Sequence, residues 1–551
     1  MKFKNILTSG LLILVLFTGF IPLEAQKVGL ESINIPDLES HMYFLASDEL
    51  KGRATGEPGL LIAGQYLASQ AKLIGLSAVD DNEDYYQDYV IEERSYDLEK
   101  CQITIKQAGT ITEVLKDDFF MLPPGKTDHT TVTGEVVFAG YGITSEMYNY
   151  DDFAEIDASD KLVLIMNRAP MDEYGLIPKF EDADWNNPQN IMLKMRKIMA
   201  QQPKAILLVM DPKSGMNSLI DESPQIANFL RSVKQLKDSK NGGMFDGMPV
   251  KIIIVHRNVA DKLLEGTGVT LSELQHKIDD SLEPHSFLIK DKTISVDLYM
   301  KSSEFKVPNV FGVIEGSDPV LKDEYVIYMA HYDHVGTDGM GGIFNGADDN
   351  ASGSVGLLEI AEAFMKEKKK PKRSIGFLWV SGEEIGLFGS RYYAENPVIP
   401  LEKTVAVINL DMIGRIRTPE DKGMVGGDKV DVYAGDTVGV IGGLQSKVLA
   451  DINSQTLAEM NMTGDYTHNR IDHPQRYFYR SDHISFARKD IPVLFYSTGT
   501  HVDYHQTTDT ADKIDFPKFY MVTRFVFKTG FNVANYKGEI IVDNPFTTWG
   551  Q

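Results

Sequence analysis

The chain predicts an α/β protein built on a mostly parallel central sheet flanked by helices, with a second, smaller unit set into it. Three observations carry this. Apolar strands alternate with amphipathic helices from about 307 to 536. A middle section, from VVFAGYGI at 136–143 to VKIIIV at 250–255, has strand and helix signals of its own. At 551 residues the chain also exceeds the size at which a single core usually stops growing.

Taken in order, the opening MKFKNILTSGLLILVLFTGFIPLEAQ places Lys2 and Lys4 before an apolar stretch and ends on Glu24-Ala25. That is the grammar of a signal peptide covering residues 1–25, so the protein is expected to be exported, to the periplasm or the cell exterior. The apolar stretch is short for a membrane span of roughly 20 residues, and no later segment is long and uncharged, so no integral membrane contact is expected. No cysteine follows the stretch, which argues against a lipid anchor. Cys101 is the only cysteine, and it excludes both an intramolecular disulfide framework and a thiolate zinc site. A net charge of −24 repels nucleic acid and anionic membranes, so no nucleic-acid partner is expected. Nothing in the composition points to an oligomeric state.

Residues 36–78 carry helical spacing in Leu60, Ala63, Leu67 and Ala71, and short β-like runs follow at 89–91 and 103–105. The middle section adds KLVLIMN at 161–167, a helix near 190–200 and AILLVM at 205–210. In the second regime the expected strands are YVIYMA (325–330), IGFLWV (375–380), VAVINL (405–410) and VLFYS (493–497). One helix is expected over about 352–367, and another after Asp515, with Pro517 suited to a first helical position.

Three of these strands end at a residue that can bind metal. YVIYMA runs into His331, VAVINL into Asp411, and IGFLWV, after Ser381-Gly382, into Glu383 and Glu384. Ligands of open α/β sheets sit at the carboxyl ends of the strands, so these ends are expected to converge on one crevice. Asp333, two residues after His331, can accept a proton from the second ring nitrogen and fix the imidazole. His334 is nearby, but one histidine already ends the strand, and it is not counted as a ligand. The turn GADDNASG at 346–353 offers a bridging carboxylate, and spacing does not choose between Asp348 and Asp349. In the adjacent Glu383 and Glu384, one carboxylate can reach a metal and the other the attacking water. HVDYH at 501–505 pairs two histidines without the glutamate of a helical HExxH site, and Gly499 before it suits a loop. Carboxylate and imidazole donors without thiolates fit zinc.

The segments AHYDHVG, GADDNASG, SGEEIGLFGS, INLDMIG, YRSDHISF and DYHQTTDT, in this order over about 325–515, resemble the cocatalytic two-zinc aminopeptidase family. That family also contains aminopeptidase Y, glutamate carboxypeptidase and the transferrin receptor. LASDELKGRATGEPG resembles the family's opening. The resemblance implies a zinc exopeptidase that releases N-terminal residues from peptides and holds two Zn²⁺ ions. His331 and Asp411 would hold one ion, Glu384 and His505 the other, and Asp349 would bridge them. Glu383 would be the general base, Asp333 would support His331, Tyr504 would assist the oxyanion, and Arg480 would line the substrate pocket. Relatives on the same scaffold include carboxypeptidases, a one-zinc glutaminyl cyclase and non-catalytic receptors. The middle section resembles a protease-associated domain inserted at about 120–296, which leaves a peptidase domain formed by 27–119 and 297–540.

Overall fold

The computed structural model describes residues 27–78, 84–115, 119–121, 127–180, 188–218, 232–237, 251–338 and 340–549. The expected signal segment lies outside them. The chain divides into two units, one made of Met1–Tyr89 with Val307–Gln551 and the other of Val90–Lys306. The inserted unit is therefore wider at both ends than the expected 120–296. Strand pairing is the reason. Gln102–Gln107 runs antiparallel to residues 292–297 of the long strand Phe287–Ile314 and also pairs with Thr110–Leu115, so these early strands belong to the inserted unit.

Within Val90–Lys306, His129–Phe138, Leu162–Met166, Ala205–Val209 and Lys251–Val255 pair in parallel in that order. All five side chains of Leu162–Met166 are buried, as a strand covered on both faces requires. The helix Leu271–Ser281 opens on a capping box in which Thr270 and Glu273 satisfy each other's backbone amides.

The other unit carries the second regime. Tyr325–His331 lies between Ser374–Val380 and Thr404–Leu410, and Val493–Ser497 follows on the far side of the latter, all four strands parallel. Thr437–Gly442 extends the sheet antiparallel to Val493–Ser497, and residues 310–314 close the opposite edge. The strands are apolar without alternation because helices cover both faces. Trp379 is fully buried and donates its indole N–H to the Ser354 carbonyl at 3.0 Å, tying Ser374–Val380 to the helix Gly353–Lys366. The Tyr328 hydroxyl donates to the Val526 carbonyl at 3.1 Å, tying the central strand to the helix Phe516–Asn535. That helix begins where expected, with Asp515 accepting from the Lys518 amide and Pro517 in the first turn. Leu60, Ala63, Leu67 and Ala71 form the buried face of Pro58–Ile74. Among the described residues no helix is long and apolar enough to cross a membrane. Four parallel strands end at one edge of the sheet, so the segments after His331, Val380, Leu410 and Ser497 meet there.

Glu359 on the helix Gly353–Lys366 is 1% exposed, and burial together with the nearby Glu362 and Asp37 pushes its carboxyl up to about 8. The folded chain thus keeps a proton that the unfolded chain releases near pH 4.3. Its contribution to stability is complete below that value, declines as pH rises and is lost through about pH 8. Glu359→Gln is therefore expected to raise the melting temperature more at pH 8 than at pH 5. Thermal unfolding at the two pH values checks this, and an equal shift at both contradicts it.

Candidate metal centre

Asp349 stands at the middle of the centre. It comes from the turn Ala347–Ser352 that leads into the helix Gly353–Lys366, and it is 3% exposed. Its Oδ1 lies 3.4 Å from His331 Nε2, and its Oδ2 lies 3.1 Å from His505 Nε2. His331 Nε2 is also 3.5 Å from Asp411 Oδ1, and His505 Nε2 is 3.1 Å from Glu384 Oε2. The two oxygens of one carboxylate thus face two separate sets of donors. Glu383 joins His331 and Asp411, with one donor atom from each of the three within 4.8 Å of the others. All five expected metal ligands and the expected base meet at the sheet edge.

These donors crowd without satisfying one another. His505 Nε2 is buried and forms no hydrogen bond, although two carboxylate oxygens approach to 3.1 Å. Donors sharing a tetrahedral ion at 2.0–2.2 Å would sit roughly 3.3–3.6 Å apart, close to the separations seen here. Burial lowers His505, yet the carboxylates of Glu384 and Asp349 outweigh it and push the imidazole up to about 11. Burial, with Glu384, Asp482 and Asp411 adding to it against His331, raises Glu383 well above the usual carboxylate range. Both shifts express one demand of the cavity for positive charge. Nitrogen and oxygen donors in two sets, an orphaned imidazole nitrogen and this demand together fit a pair of divalent cations.

Asp333 is fully buried, and its role is wider than expected from spacing. His331 Nδ1 is 3.3 Å from the Asp333 backbone carbonyl and 3.7 Å from its Oδ1. The carboxylate itself accepts the backbone amides of Glu383 at 3.1 Å and Glu384 at 3.4 Å, and the Thr55 hydroxyl at 2.9 Å. It therefore positions the glutamate pair. Asp348 turns away from the centre, accepting the Gly414 amide at 2.6 Å with Oδ2 3.3 Å from His501 Nε2. Asp509 accepts the amides of Asp348 and Asp349 from the other side. The Ser481 hydroxyl donates to Asp411 Oδ2 at 2.7 Å, which leaves Oδ1 toward His331. The Tyr504 ring stacks on His505 with centroids 3.9 Å apart. Arg480 makes a two-pronged ion pair with Asp428, both contacts at 2.6 Å.

Sequence reading assigned no role to Arg53 and left His334 out of the site. Arg53 is 1% exposed and donates to the carbonyls of Tyr332 at 2.8 Å, Asn345 at 2.7 Å and Gly346 at 2.9 Å, and also to that of Leu45. One guanidinium so joins the segments that present His331 and Asp349. Burial brings it down to about 10, opposed by Asp333, Asp349, Asp509 and Glu384. His334 Nδ1 lies 2.7 Å from Glu384 Oε1. The only sequence signal for either was proximity: Arg53 falls in the glycine-broken opening and His334 three residues beyond a ligand.

Residues 309–529 match peptidase family M28. Leucine aminopeptidase 1 of Arthroderma otae is 38% identical over 111 residues, covering 19% of this chain and 30% of that protein. Aminopeptidase NAALADL1 of Rattus norvegicus is 34% identical over 143 residues, covering 25% of this chain and 18% of that one. The chain thus spans less than a third of the length of these relatives. The aminopeptidase from Aneurinibacillus sp. strain AM-1 shares the fold, with a TM-score of 0.50 at 19% identity over 94% of this chain and 97% of its own.

Replacing Arg53 by alanine strands several buried carbonyls and removes a buried charge from among carboxylates. Arg53→Ala is expected to lower the unfolding free energy by about 3 kcal/mol and to weaken metal retention. Urea unfolding and metal content after gel filtration check this; wild-type values for both would contradict it.

Proposed function

Residues 309–529 of this chain belong to peptidase family M28, and from that premise we propose that the protein is a two-zinc aminopeptidase that releases N-terminal residues from peptides. One observation carries the reading. The two oxygens of Asp349 face two donor sets, His331 with Asp411 and Glu384 with His505. A one-zinc cyclase would need only one of them, and a binding protein neither. Zinc is the cation of choice for imidazole and carboxylate donors in sites of this size.

A bound zinc pair supplies positive charge and Lewis acidity at the scissile carbonyl. The chain's own part is to place and move a proton. Glu383, beside His331 and Asp411, takes the proton of the attacking water and returns it to the leaving amine. Asp333 holds the amides of Glu383 and Glu384, so base and ligand keep a fixed offset. Tyr504, stacked on His505, restrains that imidazole, and the resemblance gives its hydroxyl the part of assisting the oxyanion.

Direction follows from charge. Arg480 is engaged by Asp428 and so is not free to bind a terminal carboxylate, as a carboxypeptidase would require. Asp411 and Asp482, both buried, and the half-buried Glu383 instead gather carboxylates suited to an α-ammonium group. The matched relatives carry aminopeptidase names, which supports the same direction. Beside the centre, Met412, Val440, Ile441 and Phe495, with Asp431 and His468, line a cavity of about 70 Å³ that would take the substrate's N-terminal side chain. No proposed ligand lies in Val90–Lys306, which supports reading that unit as an accessory, protease-associated insertion. The basic and then apolar opening supports export.

Glu383→Gln should keep both metals while turnover falls roughly 10²-fold or more, and Glu384→Ala should lose metal. Metal analysis beside single-residue amide hydrolysis separates the roles; equal metal loss in both variants contradicts them. Of two peptides, one with a free amine and an amidated C-terminus and one N-acetylated with a free carboxylate, only the first should be cleaved. Cleavage of the second alone overturns the aminopeptidase direction and leaves the two-zinc centre standing.

A further inference from the structure

His334 is fully enclosed in the centre, grouped with Asp349, Glu384 and His505, although the expected ligand set leaves it out. Its ring sits edge-on to His505, with centroids 5.5 Å apart. Its backbone amide donates to the Arg53 carbonyl at 3.2 Å, so the clamp that joins the two ligand loops also fixes this residue. On the other side it leans on Gly346, where a β-carbon would come within 2.5 Å of the ring. The imidazole therefore has little room to move.

Distances decide what it does there. The pairs that would share an ion are separated by 3.1–3.5 Å. His334 Nδ1 stands 2.7 Å from Glu384 Oε1 and 3.7 Å from Asp349 Oδ2. The short contact has the length of a charge-assisted N–H···O⁻ hydrogen bond, and the long one is beyond hydrogen-bond reach. Glu384 thereby has its two oxygens divided, Oε1 to His334 and Oε2 to His505 at 3.1 Å.

Resting on the two-zinc reading above, we propose that His334 is a positioning residue. It donates its Nδ1 proton to Glu384 Oε1, so that Oε2 alone is presented to the ion shared with Asp349 and His505. With Oε1 held in this way, Glu384 would offer a bound ion one oxygen. Partners of this kind orient a ligand and strengthen its hold on the metal without touching the metal.

The test uses the full chain loaded with zinc, with affinity for each equivalent read by competition against a chromophoric chelator. Leucine at position 334 removes the donor, whereas asparagine keeps an N–H near the place of Nδ1. His334→Leu is expected to weaken one zinc equivalent by about 10–100-fold and leave the other unchanged. His334→Asn should recover most of that loss, which a purely structural role would not allow. Wild-type affinity for both equivalents in His334→Leu overturns the proposal, as does an unrescued loss in a folded His334→Asn. Should the variants fail to fold, histidine ¹⁵N spectra of the zinc-loaded wild type decide. A proton on His334 Nδ1 supports the proposal, and a deprotonated, metal-bound Nδ1 overturns it by making His334 a ligand. A wild-type chain that takes up fewer than two zinc equivalents sinks the two-zinc reading and this inference with it; two equivalents with no effect at position 334 sink this inference alone.

Discussion

Buried negative charge at the carboxyl edge of one sheet is the constraint on which the unit holding the candidate metal centre is organised. Asp333, Asp348, Asp349, Asp411, Asp482 and Asp509 are each at most 9% exposed, and Glu383 and Glu384 lie among them. Taking unpaired carboxylates out of water costs several kcal/mol apiece. The fold meets that cost with fixed donors. Arg53 enters from the N-terminal segment, Arg415 pairs with Asp503 at 2.6 Å and approaches Asp509, and backbone amides complete Asp333, Asp348 and Asp509. Beside Asp349, His505 Nε2 is left without a hydrogen bond, and cations there would complete the centre.

The same contacts that stabilise the carboxylates also hold the loops in register. Asp333 links the segment after the central strand to the glutamate pair after the neighbouring strand. Asp348 reaches the segment after Thr404–Leu410, and Asp509 reaches back to the acidic turn. Ligand geometry is therefore set by connections between loops as much as by the strands beneath them. Stability and chemistry are drawn from one network, so a change meant for one is felt by the other.

Much of this was legible in the sequence. Largely apolar runs at 325–330, 375–380, 405–410 and 493–497 have the length and composition of strands covered on both faces, and His331, Asp411 and the glutamate pair stood where such strands end. The acidic turn was visible as a turn, but the choice between Asp348 and Asp349 depended on which carboxylate faces the histidines. Arg53 was hidden because its partners are backbone carbonyls, three of the four nearly three hundred residues away, and carbonyls leave no mark in a sequence. Arg480 was ambiguous for a similar reason, since its partner Asp428 is 52 positions distant. The early edge of the inserted unit was misplaced because the pairing of Gln102–Gln107 with residues 292–297 spans almost two hundred residues. Local pattern shows that a strand exists and is silent about its neighbour.

The central claim is that Asp349 bridges two metal sites. Crystals of the zinc-loaded protein, measured on both sides of the zinc absorption edge, test it most directly. Two anomalous peaks are expected, roughly 3.5–4 Å apart, one beside Asp349 Oδ1, His331 and Asp411 and the other beside Oδ2, Glu384 and His505. A single peak at full zinc loading, or two peaks that do not share Asp349, would contradict the claim.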